Sequence, residues 1–143
     1  MTHNTPQRSV TIQAAATGST WMVRLKPYED LVDGLVALCH AQKIHRATVV
    51  AGLGSLMYGN VVQGDIACAQ IEGPGVEILA VSGWIDIMHP QDSVLQLTLG
   101  DRNGKVTVGR AVKGRNPVCV TVELVLQEWT SPTQPRPADV HGH

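Results

Sequence analysis

The sequence predicts an α+β fold: a mostly antiparallel, seven-stranded sheet with one main helix packed on it. Apolar and polar residues alternate in seven short stretches, as they do in half-buried strands. Only one stretch has helical spacing, and Asp101-Arg102-Asn103-Gly104 has the composition of a hairpin turn. The predicted strands are residues 21–25, 47–53, 57–63, 76–85, 94–99, 106–112 and 118–126.

The predicted helix covers residues 28–43. Leu31, Leu35 and Leu38 recur at helical spacing, so they should form the apolar stripe that faces the sheet. Pro27 ends the preceding strand and suits the first turn of a helix.

One helix can cover only one face of a sheet of this size, so we expect copies of the chain to shield the other face. The last strand supports this expectation, because its second face is too mixed for free solvent and too polar for a core. That face carries Cys119, Thr121, Glu123, Val125 and Gln127. The predicted binding site is therefore a cleft between subunits.

The length of 143 residues fits one domain, flanked by two tails. We expect an N-terminal tail at residues 1–20, with a possible edge strand at 9–16. The domain should span residues 21–129, and the proline-rich residues 130–143 should be a disordered tail.

Composition excludes several classes of function. A formal net charge of -1 provides no field to hold a polyanion, so we do not expect direct nucleic-acid binding. No stretch approaches the ~20 apolar residues that span a bilayer, and a cytoplasmic protein is expected. Cys39, Cys68 and Cys119 form no CxxC motif and should be reduced thiols.

Five motifs, in order, resemble the plants-and-prokaryotes-conserved domain. The first is Val23-Arg24-Leu25-Lys26-Pro27-Tyr28-Glu29-Asp30-Leu31, similar to the family's R-L-x-P-G-E-D-L opening, with Tyr28 in place of the usual glycine. The others are Gly52-Leu53-Gly54-Ser55-Leu56, Val76-Glu77-Ile78-Leu79 with Ser82-Gly83, Leu99-Gly100-Asp101 with Gly104-Lys105-Val106, and Val122-Glu123-Leu124-Val125-Leu126.

The resemblance covers residues 21–128. It implies a seven-stranded antiparallel sheet, one packed helix and a homotrimer. Single-domain prokaryotic members usually carry His-Leu-His before the Leu99-Gly100-Asp101 turn and Gly-Gly-His after it, and these histidines resemble a metal or catalytic cluster. This chain has Val94-Leu95-Gln96 and Val108-Gly109-Arg110 there, so we expect no metal and no cofactor.

Arg110 is the main candidate for ligand binding. Its guanidinium suits a carboxylate or a phosphate, and we expect it in a partly enclosed setting. The alternative is an ion pair with Glu123 or Glu77, across strands or across chains. Glu123 in turn is either a general base or the partner of Arg110. Gln96 either hydrogen-bonds a ligand or satisfies buried backbone groups.

Three further residues complete the predicted site. Gly54 and Ser55 should lie in a tight strand connection that lines the subunit cleft, since the following residues read as a strand and not as the helix of a phosphate loop. His89 should lie in the connection between two strands, where it either closes over the site or is a solvated bystander.

Three functions are consistent with these residues. The first is a trimer that binds a small anionic metabolite at the subunit clefts. The second is a metal-free lyase or hydratase at the same cleft, with Glu123 as base and Arg110 as electrostatic stabiliser. The third is a DNA-associated interaction module, which the plant members of the family suggest. The basic segment 113–117 lacks the Arg-Gly-Arg-Pro core of an AT-hook and is predicted to be a turn.

Overall fold

The computed structural model describes residues 12–65 and 68–130. In this part of the chain there are one α-helix and eight strands. Their bounds are β1 (Ala16–Leu25), α1 (Leu31–Gln42), β2 (Arg46–Leu56), β3 (Gly59–Val62), β4 (Ala69–Ile71), β5 (Val76–Asp86), β6 (Val94–Gly100), β7 (Val106–Ala111) and β8 (Val118–Thr130). A 3-10 turn at Pro90–Asp92 joins β5 to β6.

All strands belong to one antiparallel sheet with the order β1-β8-β2-β5-β6-β7-β3-β4. The predicted α+β class is confirmed, but the predicted count of seven strands is wrong. The missed strand, β4, is only three residues long and pairs with β3 at one edge of the sheet. Three residues are too few to show an alternating pattern.

The helix begins later than predicted. Asp30 has extended backbone angles and is the N-cap, accepting hydrogen bonds from the amides of Val32 and Asp33. Tyr28 has a φ of 72°, which is incompatible with a helix. The predicted range 28–43 included Asp30 in the helix, whereas Asp30 is the last residue before the helix and caps it.

Several other predicted boundaries also change. β2 continues through Leu56, so Gly54 and Ser55 lie inside a strand and not in a tight connection. Residues 12–15 do not form a strand. The edge strand of the sheet is β1, which begins at Ala16. The rest of the predicted edge strand, 9–11, and the predicted tail at 131–143 lie outside the described residues.

The core lies between α1 and one face of the sheet, the inner face. Helix residues Leu31, Val32, Leu35 and Cys39 are buried against it. Alternate strand residues supply the rest of the core, including Leu25, Val49, Val81, Ile85, Leu95, Leu97, Leu99, Val122, Leu124 and Leu126. Each fully buried Leu or Val contributes about 1.5–3 kcal/mol to folding before entropy is subtracted.

A buried amide holds the turn before β8. Asn116 is fully buried; its Oδ1 accepts from the Asn60 amide at 2.9 Å, and its Nδ2 donates to the carbonyls of Asn60 and Val112 at 3.0 Å. Its own amide donates to the Asp30 carboxylate at 2.8 Å. The side chain and the backbone amide of Asn116 therefore tie together the helix cap, β3 and the start of β8.

The opposite face of the sheet, which we call the outer face, carries large exposed apolar side chains. Met22, Leu53, Trp84 and Val108 are 80%, 63%, 59% and 50% exposed. Strand register places them on one face, alternating with the buried residues. Contiguous apolar surface of this kind is typical of an interface.

Within the described residues no helix is long and apolar enough to span a membrane.

Candidate functional site

Three polar side chains form a row across the outer face. Ser82 on β5 pairs with Gln96 on β6, and Gln96 pairs with Arg110 on β7. Directly paired side chains have Cβ atoms about 4.5–5.5 Å apart, so the hydroxyl, the amide and the guanidinium can act on one small molecule. Gln96 and Arg110 were predicted from the sequence; Ser82 was not.

Two glycines determine on which face of the sheet the side chains of this row lie. A Cβ on Gly109 would lie 2.9 Å from both Cβ of Val61 and the carbonyl oxygen of Val62. A Cβ on Gly83, whose φ is +141°, would lie 2.0 Å from the carbonyl oxygen of Val94. Because these backbones approach so closely, only glycine fits, and alternation then directs Ser82 and Arg110 to the outer face.

Apolar residues surround the row. Trp84 follows Ser82 on the same face of β5 and pairs with Val94, while Val108 precedes Arg110 on the same face of β7. In one chain Arg110 is exposed, in contrast to the partly enclosed setting predicted for it. None of the residues 12–65 and 68–130 encloses it.

Arg110 has no acidic partner within residues 12–65 and 68–130. Glu123 instead accepts two hydrogen bonds from Arg24, at 2.6 Å from Nη2 and 3.1 Å from Nε. Glu77 lies opposite Ser55 and Gly100, away from the Gln96–Arg110 pair. The predicted ion pair of Arg110 with Glu123 or Glu77 is therefore not formed within the described chain.

Glu123 is also remote from Arg110. β8 and β7 are four strand spacings apart in the sheet, or about 19 Å along it. A mechanism with Glu123 as base and Arg110 as stabiliser thus cannot operate in one subunit. It would require one of the two residues from a second copy.

Gly54 and Ser55 have a structural explanation. A Cβ on Gly54, whose φ is +144°, would lie 2.3 Å from the carbonyl oxygen of Thr121. The glycine is therefore required for the close approach of β2 to β8. Ser55 faces Glu77 across β2 and β5, and neither residue belongs to the row at Arg110.

His89 lies at a different place, in the connection between β5 and β6. Its Nδ1 is 3.6 Å from Oδ2 of Asp86, and its side chain is 63% exposed. Asp86 is 10% exposed and also has Nε of Arg46 at 3.6 Å. These residues line a cavity of about 640 Å³, separate from the row.

No metal site is formed by the residues that the structure describes, since no three His, Cys, Asp or Glu side chains come together. Val94 and Gln96 share a face of β6, and Gln96 pairs with Arg110. The three positions where the resemblance places histidines are thus neighbours, but valine, glutamine and arginine occupy them.

The family model of the Plants and Prokaryotes Conserved (PCC) domain matches residues 12–130. The chain belongs to this family. The match extends nine residues further toward the N-terminus than the resemblance had indicated, and it includes the whole of the edge strand β1.

Solved structures similar to this chain include bacterial and archaeal proteins. A hypothetical protein from Salmonella is 22% identical, with a TM-score of 0.71 over 88% of this chain and 90% of the other. A metal-containing protein from Archaeoglobus fulgidus is 17% identical, with a TM-score of 0.70 over 85% and 87%. A plant- and prokaryote-conserved protein from Pyrococcus horikoshii is 17% identical, with a TM-score of 0.69 over 91% and 94%.

Two further chains with the PCC fold, from Bacteroides thetaiotaomicron and Ralstonia eutropha, are named as candidate DNA-binding proteins. At identities of 15% and 13%, these similarities establish the fold alone. The search of curated proteins found no match.

Ser82 and the cavity near His89 were not predicted from the sequence. Ser82 is marked only by its alternation with buried neighbours, and its place in the row follows from its register with Gln96. The cavity joins residues from five separate segments, and no motif connects them along the chain.

Proposed function

We propose that this PCC-domain protein is a homotrimer that binds a small anion in the cleft between its subunits, with Arg110, Gln96 and Ser82 as the binding residues. The observation that supports this most strongly is Arg110 itself. It is a cation without an acidic partner among the described residues, and it lies in a face rich in exposed apolar side chains.

Association of the subunits would change the electrostatics of this arginine. Covering Trp84 and Val108 removes water from around Arg110 and so strengthens its attraction to a ligand charge. A desolvated guanidinium without a counterion is costly, so the covered state favours an anion in the cleft.

The chemistry of the row suits a carboxylate. The guanidinium can donate two parallel hydrogen bonds to the two oxygens of one carboxylate. The Gln96 amide and the Ser82 hydroxyl can each donate one further bond, which fixes the orientation of the ligand.

Thermal-shift titration with a panel of small carboxylates tests the proposal. A ligand at 100 times its Kd should stabilise the wild-type protein by about 2.7 kcal/mol. Arg110→Ala should abolish that shift. Arg102→Ala is the matched control, because Arg102 is an exposed arginine that contacts only the Pro74 carbonyl, at 3.4 Å.

The site assignment is wrong if Arg110→Ala leaves every ligand-induced shift unchanged. Catalysis at the same cleft would require Glu123 from a neighbouring copy beside Arg110. Turnover that survives Glu123→Gln would exclude that mechanism.

A second candidate is DNA association, which is supported by the names of the Bacteroides and Ralstonia proteins. The net charge of -1 and the presence of Asp33 within 3.8 Å of Lys113, in the basic turn, argue against direct binding. The electrophoretic mobility of a labelled DNA duplex, measured with the protein at low salt, tests this second candidate. A retarded band that disappears as salt rises would support DNA binding.

A further inference from the structure

The cavity near His89 is formed by five segments of the chain. Residues 13–15 line it before β1, the C-cap of α1 lies there at Lys43, and β2 begins there at Arg46. β5 leads into the loop with His89, and the last residues of β8, including Trp129, complete the lining. Its volume of about 640 Å³ lies in the range of sites for small organic ligands.

The two acidic residues of the cavity are already engaged by the protein. Asp86 accepts hydrogen bonds from the amides of Met88 and His89 at 2.9 and 3.1 Å. Glu128 accepts from Nε1 of Trp21 and from the Ser19 amide, both at 3.3 Å. Asp86 also lies 3.6 Å from both Arg46 and His89, so it positions these two side chains at the wall of the cavity.

Lys43 is an unusual residue for its position. It is the C-cap of α1 with a φ of 57°, a left-handed conformation in which glycine is the usual residue. In this conformation a residue other than glycine destabilises the folded state by about 1 kcal/mol or more. No carboxylate in the described part of the chain pairs with its ammonium group.

An aromatic wall completes the cavity. Nε1 of Trp129 donates a hydrogen bond to the hydroxyl of Thr48, which restricts the orientation of the indole. A fixed indole offers a flat apolar surface beside the cations.

We propose that this cavity binds a small organic phosphate. Lys43 and Arg46 hold the phosphate group, His45 and His89 line its approach, and Trp129 packs against the organic part. A phosphate carries close to two negative charges at neutral pH, which matches cations that converge from separate elements.

This site is distinct from the row at Arg110. Asp86 lies four residues beyond Ser82 along β5, about 13 Å away. The two proposals can therefore fail independently.

Isothermal titration of the full chain with adenosine monophosphate, inorganic phosphate and adenosine tests this proposal. Adenosine monophosphate should bind, inorganic phosphate should bind about tenfold more weakly because it lacks the stacking contact, and adenosine should not bind measurably. Arg46→Gln should weaken binding of the monophosphate by about tenfold or more.

Lys43→Gly separates a binding role from a structural one. Glycine relieves the left-handed backbone, so this variant should unfold at a temperature no lower than the wild type, yet its affinity should fall by about tenfold. Lys26→Gln, which removes an exposed lysine away from the cavity, is the matched control and should bind normally.

Three results would overturn the proposal. The first is the absence of binding by both phosphate probes. The second is wild-type affinity in both Lys43→Gly and Arg46→Gln. The third is binding of duplex DNA with no binding of the monophosphate, which would indicate a nucleic-acid surface instead.

Discussion

Arg24 and Glu123 form a cross-strand ion pair at 2.6 Å on the outer face of the sheet, between the edge strand β1 and β8. Both side chains are substantially exposed, so we expect the pair to contribute little to stability. The pair matters because it occupies the carboxylate of Glu123. The obvious carboxylate for Arg110 is engaged elsewhere, and Arg110 remains available to a ligand.

The geometry of the row predicts that a zinc site can be built by three substitutions. Val94→His and Gln96→His would place two imidazoles on one face of β6, and Arg110→His would place a third opposite Gln96. Three histidines with one open position are a common zinc site. Calorimetric titration with Zn²⁺ should show one tight site per chain in the triple variant.

The double variant Val94→His/Gln96→His is the control for that site and should bind zinc much more weakly, because it supplies only two ligands. Equal zinc binding by the triple variant and the wild type would mean that these positions do not converge.

Tyr28 predicts a stabilising substitution. Its φ of 72° is a conformation that costs a non-glycine residue about 1–2 kcal/mol, and its side chain is 77% exposed. Its amide donates to the Val118 carbonyl at 2.8 Å, which holds the backbone in this state. In urea denaturation, Tyr28→Gly should be about 1 kcal/mol more stable than Tyr28→Ala. Equal stability of the two variants would contradict the backbone assignment.

Asn116 predicts a large loss of stability. Removing its side-chain amide leaves the backbone amide of Asn60 without an acceptor in a buried setting, while the carbonyls of Asn60 and Val112 keep only the hydrogen bonds from the backbone amides of Val112 and Arg115. Asn116→Ala should reduce the unfolding free energy by about 2–3 kcal/mol. Asn103→Ala, at an exposed turn, should change it by less than about 0.5 kcal/mol in the same denaturation experiment. Similar effects at both positions would refute the network.

Cys39 predicts a pH dependence of stability. Burial raises the pKa of its thiol from the ordinary value of 9.0 to about 11, with a further contribution from the charge of Glu128. The folded state holds this proton more tightly than the unfolded state. The stabilisation is therefore fully present below pH 9 and is lost as the pH rises from 9 toward 11.

Unfolding free energies measured between pH 8 and pH 11 should thus fall less steeply in Cys39→Ala than in the wild type, while Cys68→Ala, at an exposed thiol, should keep the wild-type slope. An unchanged slope in Cys39→Ala would show that this thiol does not contribute.

Much of the fold could be predicted from alternation alone. Leu95, Leu97 and Leu99 on β6 are buried at every second position, as are Val122, Leu124 and Leu126 on β8, and that pattern is visible in the sequence. Positions where two backbones approach each other closely were harder to predict from the sequence. Gly54 was assigned to a connection, whereas it lies within β2 because the backbone of β8 comes too close for any side chain.

The candidate site was predictable only in part. Gln96 and Arg110 were found because the family resemblance pointed to their positions, and the register then showed that they are neighbours. Within one chain Glu123 does not lie beside them, and the sequence does not reveal that β2, β5 and β6 separate β8 from β7. Strand order depends on long-range contacts that no local pattern records.

Sedimentation equilibrium at micromolar concentration tests the central claim, that copies of the chain cover the outer face, most directly. We expect a mass of three 15.3 kDa chains for the wild type and for Ala37→Lys, whose residue is exposed on α1, on the opposite side of the sheet. Leu53→Lys should dissociate the assembly, because it places a charge in the apolar contact. A wild-type protein that sediments as a single 15.3 kDa species would contradict the account.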